Sequence, residues 1–284
     1  VEIDAKALER CQASRDYLIE DIQAKRIIYG VNTSFGPMCN KIISDEEIET
    51  LQINLIRSHA AGLGDPLKPY IALAVLVVRL NTFLKGYSAV RLELIEFIKT
   101  LINNGVAPYI PEAGSVGASG DLIHLAHMGL CIIGEGKAYH NMELCDASEA
   151  LGKIGLKPFR LSYKEGIALI NGTAAMTAIA AFAIFSAKKA LRIACVNAAF
   201  AIEIFGGIDD AFDADLHEVK PHPGQVAIAD TIRKLYHGSR NIMLRENMHK
   251  RIREQGNGNE PVFETDINVP VSYTHLTLPT NREV

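Results

Sequence analysis

Apolar positions recur at helical spacing over residues 4–25, and the run gives way to YGVNTSFGP, where Gly, Asn, Ser and Pro in quick succession predict a loop. Asp45 opens a second helix with Glu46 and Glu47 in its first turn, where carboxylates suit the positive end of the helix dipole. Ile48, Leu51, Leu55 and Ile56 turn toward a core until Gly62 and Gly64 stop the pattern. Residues 66–84 and 89–102 predict two further helices parted by Gly86, and residues 121–133 another that ends at Gly134 and Gly136. Between residues 137 and 160 the pattern breaks, and KAYH and KPFRL are candidate short strands. The longest helical tract, residues 163–205, is Ala-rich and apolar on nearly every side, as suits a helix packed among other helices.

Sustained period-two alternation is missing, as is any alternation of strand with helix that would imply a parallel sheet. The expectation is a mainly α protein built on a long-helix bundle. Residues 1–160 would form an N-terminal lobe, residues 161–270 the start of the bundle, and residues 271–284 a foreign tail. That tail, VSYTHLTLPTNREV, breaks both composition and periodicity and resembles a translated sequencing-adaptor scar.

Composition narrows the partners. The 284 residues are 48% hydrophobic and 22% charged, ordinary for a soluble globular chain able to bury a sizeable core. A formal charge of −4 without a Lys/Arg cluster argues against nucleic acid. No stretch reaches the roughly 18–20 apolar residues of a spanning helix, so no membrane partner is expected. The N-terminal VEIDAKALERC is charged and amphipathic, unlike a signal peptide, and its lack of Met reads as a fragment. Cys11, Cys39, Cys131, Cys145 and Cys195 are odd in number and widely spaced, which suggests neither a disulfide framework nor a zinc site and points to the reducing cytoplasm. His124 and His127 have a metal-compatible spacing but no evident third ligand, and HEVKPH is one residue too long for H-E-x-x-H and interrupted by Pro221. No metal is expected.

The most unusual stretch is GSVGASGD, residues 114–121. A phosphate cradle would need a Walker lysine or a strand before a Rossmann fingerprint, and Asp121 would repel phosphate from the following helix. A nucleophile elbow would need G-x-S-x-G, but Gly120 follows Ser119 directly. A tight turn capped by Asp121 is chemically sound. A further reading uses each residue. With no bulky side chain on either flank, the Gly120 nitrogen can attack the Ala118 carbonyl carbon, lose water and close a five-membered ring. Ser119 then loses its hydroxyl as a second water and becomes an exocyclic methylidene, an electrophile that none of the twenty side chains supplies. Asp121 is placed to move the protons.

GSVGASGDLIHLAHM, YGVNTSFG, RSHAAGLGDPL, GYSAVR, EGIALINGT and KPHPGQ together resemble the motifs of the aromatic amino acid ammonia-lyases, over a span from the first helix to about Leu244. The resemblance is greatest to the histidine-specific branch. It implies a prosthetic group, 4-methylidene-imidazol-5-one, made from Ala118, Ser119 and Gly120, with Asp121 assisting its formation. It also implies a mostly helical cytoplasmic homotetramer with long parallel bundles and an N-terminal lobe carrying the loop, acting as a carbon–nitrogen lyase that converts L-histidine to urocanate and ammonia.

Such an elimination must ease a poor amine leaving group and a weakly acidic β-proton. By the resemblance, Tyr29 is the base, His59 in RSHAAG contacts the substrate side chain, and Asn171 lies near the prosthetic group and the substrate's amino-acid moiety. The bland alternatives are a packing tyrosine, a satisfied core histidine and an amide bonded to a neighbouring helix. Asn171 interrupts an apolar run, where an unpaired amide would cost about 1–3 kcal/mol, so it needs a partner. Arg91 is expected to hold an ion pair or carbonyls around the site.

The chain departs from the family pattern at Ser34 and Ala89, where Gly is usual, and at His124, where Pro is frequent. It also stops before the family's Gln-Asp-Tyr-Ser segment, its carboxylate-binding Arg and a late acidic residue. The reading is therefore of a C-terminally truncated lyase. Phenylalanine or tyrosine ammonia-lyase, an aminomutase with the same group, and a non-catalytic helical scaffold are the alternatives.

Overall fold

The computed structural model describes residues 1–36, 42–244 and Asn247, so Cys39 and the tail at 271–284 lie outside the described residues. The described chain is mainly helical, as its periodicity predicts. It divides into two units, Val1–Ala183 and Ile184–Val284.

In the first unit, α1 (Ala5–Gln23) begins where the Asp4 carboxylate accepts from the Lys6 amide. A short 3-10 turn, Asp45–Glu47, leads into α2 (Ile48–His59). Leu63–Pro66 forms a short strand, β1, so the next helix, α3 (Pro69–Phe83), starts later than the apolar pattern suggests. Pro69 occupies its first turn, where a missing N–H costs nothing. On α3 the buried stripe is Val75, Leu76, Arg79, Leu80 and Phe83, a helical period that places one arginine among apolar neighbours. α4 (Leu92–Asn103) buries Leu94, Ile95, Phe97, Ile98 and Leu101.

Two small antiparallel sheets follow. β1 pairs with β3 (Pro111–Ala113), Leu63 opposite Ala113. The second sheet has the order β2 (Ala107–Pro108), β4 (Lys137–His140), β5 (Glu143–Asp146). KAYH is thus a strand as expected. KPFRL is not; its place is taken by Glu143–Asp146, joined to β4 through Asn141 and Met142, both at positive φ (51° and 69°).

Between the sheets runs α5 (Leu122–Ile132), followed later by α6 (Ala147–Lys153). Buried residues of α2 to α6 share one core, with Ile56, Leu76, Leu94, Ile98 and Leu125 each at 2% exposure or less. The long tract expected over residues 163–205 is broken. α7 (Glu165–Ile170) stops at Asn171, and α8 (Ala174–Ile204) restarts three residues later, because Gly172 takes a φ of 157° that no helix accommodates. An Asn-Gly pair is itself a turn signal.

The second unit contains a 3-10 turn, Asp209–Phe212, then α9 (Ala214–Glu218) and α10 (Pro223–Tyr236), around Cys195, Ile202, Phe212, Ile228 and Ile232. In HEVKPHPGQ, Pro223 starts α10, and the Gln225 amide reaches the buried His217 ring at 2.9 Å. Among the described residues no helix is long and apolar enough to cross a membrane, and no cluster of three or more His, Cys, Asp or Glu could hold a metal ion.

Candidate active site

The loop between β3 and α5 consists of residues 114–121. Four of its residues have positive φ: Gly114 (142°), Gly117 (68°), Ser119 (60°) and Gly120 (92°). Serine in this left-handed region carries a cost of about 1–2 kcal/mol, which persists only where surroundings dictate it. A strand does precede the loop, but it is three residues long and ends at Ala113.

Those surroundings are the α7–α8 turn. Gly120 and Gly172 form a parallel bridge, and the Asp121 amide donates to the Gly172 carbonyl at 2.7 Å. The approach is so close that a β-carbon on Gly120 would collide with that carbonyl oxygen. Ala118 and Ser119 remain exposed in the single chain, while Gly120 is half-buried and Asp121 buried.

Asp121 stands at the N-cap of α5, yet its side chain makes no capping bond there. Its Oδ2 accepts instead from the Met176 amide, at 2.7 Å, in the first turn of α8. The carboxylate therefore completes the start of one helix while its backbone begins another. Nearby is Arg79, 3% exposed, whose cationic form the Asp121 charge favours against the larger opposing effect of burial. Arg79 Nε and Nη2 each donate to the Leu169 carbonyl at 3.0 Å, and Nη2 donates to the Asn171 carbonyl at 2.6 Å. Burial lowers the guanidinium pKa to about 10, so it is still a cation at neutral pH.

Asn171 is the C-cap of α7 and exposed, which corrects the expectation of an amide sunk in an apolar helix and in need of an internal partner. The helix break explains the difference. The local structure thus brings Ala118, Ser119, Gly120 and Asp121 together with Asn171.

His59 ends α2. Its Nδ1 lies 2.8 Å from the Leu55 carbonyl, so this nitrogen carries the proton and Nε2 is left as an acceptor. The Ser58 hydroxyl donates to the same carbonyl and approaches the His59 ring at 3.1 Å. Three residues on, the Gly62 amide donates to His127 Nε2 at 3.0 Å, and a β-carbon on Gly114 would lie 3.4 Å from Gly62 Cα. The His59 segment is therefore packed against both the loop and α5. Burial, and then the neighbouring His124, hold His127 below the ordinary histidine pKa. His124 is buried with Nε2 toward the Glu112 carbonyl at 3.2 Å and no partner for Nδ1.

Tyr29 lies on another loop, where its hydroxyl accepts from the Gly36 amide at 3.1 Å and its ring meets Phe35 edge-on. It is 63% exposed. The hydrogen bonds that fix Gly120 and Asp121 run to Gly172 and Met176, not to Tyr29.

Arg91 makes the expected ion pair. The fully buried Glu165 carboxylate accepts from Arg91 N, Nε and Nη2 and from the Ser162 amide, at 2.7–3.0 Å. Ala89, in GYSAVR, is buried at φ 54°, the backbone shape that makes glycine usual at such a position, and its carbonyl accepts from Arg15. Arg79 carries no motif and is missed by motif reading. Its signal is a cation on the apolar stripe of PYIALAVLVVRLNTF, since a buried charge demands partners.

A family model described as aromatic amino acid lyase matches residues 1–257. Over 242 residues the chain is 47% identical to histidine ammonia-lyase from Streptococcus pyogenes, an alignment covering 85% of this chain and 47% of that protein. Among solved structures, tyrosine aminomutase from Streptomyces globisporus matches with a TM-score of 0.89 at 30% identity, covering 98% of this chain and 54% of that one. Histidine ammonia-lyase from Trypanosoma cruzi matches with a TM-score of 0.76 at 38% identity, over 82% of this chain and 44% of that one. The chain spans about half the length of the curated relatives it matches.

Proposed function

The chain belongs to the aromatic amino acid lyase family, and from that premise we propose that it forms the prosthetic-group lobe of an ammonia-lyase that converts L-histidine to urocanate. The observation that carries this reading is the bare, sharply bent Ala118-Ser119-Gly120 turn, with Ser119 left-handed and Gly120 pressed against Gly172. These residues fit 4-methylidene-imidazol-5-one: neither flank of Ser119 has a side chain beyond a methyl, and the bend is already in place. Once formed, that group supplies the electrophile that makes the substrate amine a leaving group.

The remaining work falls to side chains. Tyr29, exposed in the single chain, takes the β-proton. His59, protonated on Nδ1, turns an accepting Nε2 toward the N–H of the substrate imidazole. The exposed Asn171 amide binds the amino-acid moiety beside the loop, and Asp121 assists ring formation. The assembly is a homotetramer. Support comes from Phe185, Phe200 and Ile204 on α8 and Phe205 just after it, large apolar side chains that are each more than 60% exposed in one chain. The free thiols of Cys11, Cys131, Cys145 and Cys195 suit a cytoplasmic setting.

The test is a mass spectrum of the peptide containing residues 118–120, together with urocanate absorbance on incubation with histidine. The reading expects a peptide lighter by two waters and an open, inactive chain in Ser119→Ala. An unmodified tripeptide in soluble protein overturns it and leaves a helical scaffold. The likeness to tyrosine aminomutase favours one second reading, return of ammonia to the neighbouring carbon. Chromatography of products from histidine, tyrosine and phenylalanine separates a β-amino acid from an unsaturated acid.

A further inference from the structure

Arg79 projects from the apolar face of α3, and the elimination proposed above makes no use of its charge. Burying a cation is costly unless acceptors are supplied. Here they come from the α7–α8 turn: Leu169 O accepts twice and Asn171 O once, while a β-carbon on Gly172 would lie 2.5 Å from Nη1. Gly172 in turn receives the Asp121 amide and bridges Gly120. The guanidinium thus stands one residue behind the turn that pins the loop.

We propose that Arg79 is the positioning residue for ring closure, fixing the Asn171-Gly172 turn so that Gly172 holds Gly120 in the bend that brings its nitrogen to the Ala118 carbonyl carbon. This rests on the reading of Ala118-Ser119-Gly120 as the source of the prosthetic group. Closure forms the Gly120 N to Ala118 C bond. The Ala118 oxygen leaves as water with the amide hydrogens of Gly120 and Ser119, and the second water takes the Ser119 hydroxyl and α-hydrogen. Both losses occur within one turn of chain, so their rate follows how persistently the bend is held. Lysine would keep the charge but lose the planar fork that grips two carbonyls at once.

The experiment compares wild type, Arg79→Lys and Arg79→Met. It follows loss of two waters from the loop peptide by mass and hydrogen exchange at the Asp121 amide, with the Ile98 amide as a remote control. With thermal unfolding close to wild type, Arg79→Lys is expected to close its ring about tenfold slower and to exchange Asp121 about tenfold faster, Ile98 being unchanged. Arg79→Met is expected to be slower still, so that lysine gives partial rescue. A folded variant that dehydrates at the wild-type rate, or keeps Asp121 as protected as wild type, overturns the proposal. If Arg79→Met does not fold, Arg79→Lys decides by the same two readouts. An open loop in the wild type sinks the prosthetic-group reading instead, and the exchange result still judges the positioning role.

Discussion

The Asp121 amide donates to the Gly172 carbonyl over 2.7 Å, tying the loop before α5 to the turn before α8. The same aspartate caps α8 through the Met176 amide, so this structural role can be separated from the proposed one in ring formation. Asp121→Ala removes the acceptor and is expected to cost about 1–2 kcal/mol in urea unfolding. Asp121→Asn keeps an acceptor and should lose less than about 1 kcal/mol, while still slowing ring closure. Equal stability losses in the two variants would count against the capping role.

Gly120→Ala places a methyl against the Gly172 carbonyl at a φ of 92°. Strain of about 1–3 kcal/mol is expected, together with loss of dehydration at residues 118–120. A variant with wild-type stability and a closed ring would show that the loop is not held by this contact.

Met142 is 72% exposed and sits with Asn141 in a two-residue hairpin turn with both φ values positive. Met142→Gly gives the Asn-Gly pair that such turns favour, with little apolar burial to lose. A gain of about 0.5–1 kcal/mol is expected by chemical denaturation. A loss of stability would contradict the turn assignment.

His127 is held below its ordinary value of 6.5 by burial first and by His124 second. Just below that value the unfolded chain takes up a proton that the folded chain refuses, so this contribution is complete above about pH 6.5 and is lost as pH falls below it. The groups facing the ring support the sign, since the Gly62 amide needs Nε2 unprotonated. His127→Gln should flatten the fall in urea midpoint between about pH 7.5 and pH 5. An undiminished fall would assign that pH dependence elsewhere.

Tyr29→Phe tests the proposed base. The ring packing on Phe35 survives and the hydroxyl is lost, so kcat should fall by about 10²–10⁴ while the two-water loss at residues 118–120 is unaffected. Turnover at the wild-type rate would remove Tyr29 from the chemistry.

Much of the fold was legible along the chain because its causes are local. α1, α4 and α5 follow from apolar spacing with Asp4 and Asp121 at their starts, and the bare loop follows from its glycines. β1 and β3 were not legible, since strands of three or four residues carry almost no periodicity and depend on each other for pairing. The break at Asn171 was hidden by the apolar residues on both sides, although the Asn-Gly dipeptide marked it.

Residue order alone determined the helical class, the family and the bare loop at Ala118, Ser119 and Gly120, because helix periodicity and turn propensity act over a few neighbouring residues. Tertiary structure alone decided that the Asp121 carboxylate serves α8, that Asn171 stands exposed at a helix end, and that a buried Arg79 braces the turn behind the loop. Those relations join segments far apart in the chain, and a hydrogen bond of 3 Å is set by where packed helices place their ends, which no local pattern encodes.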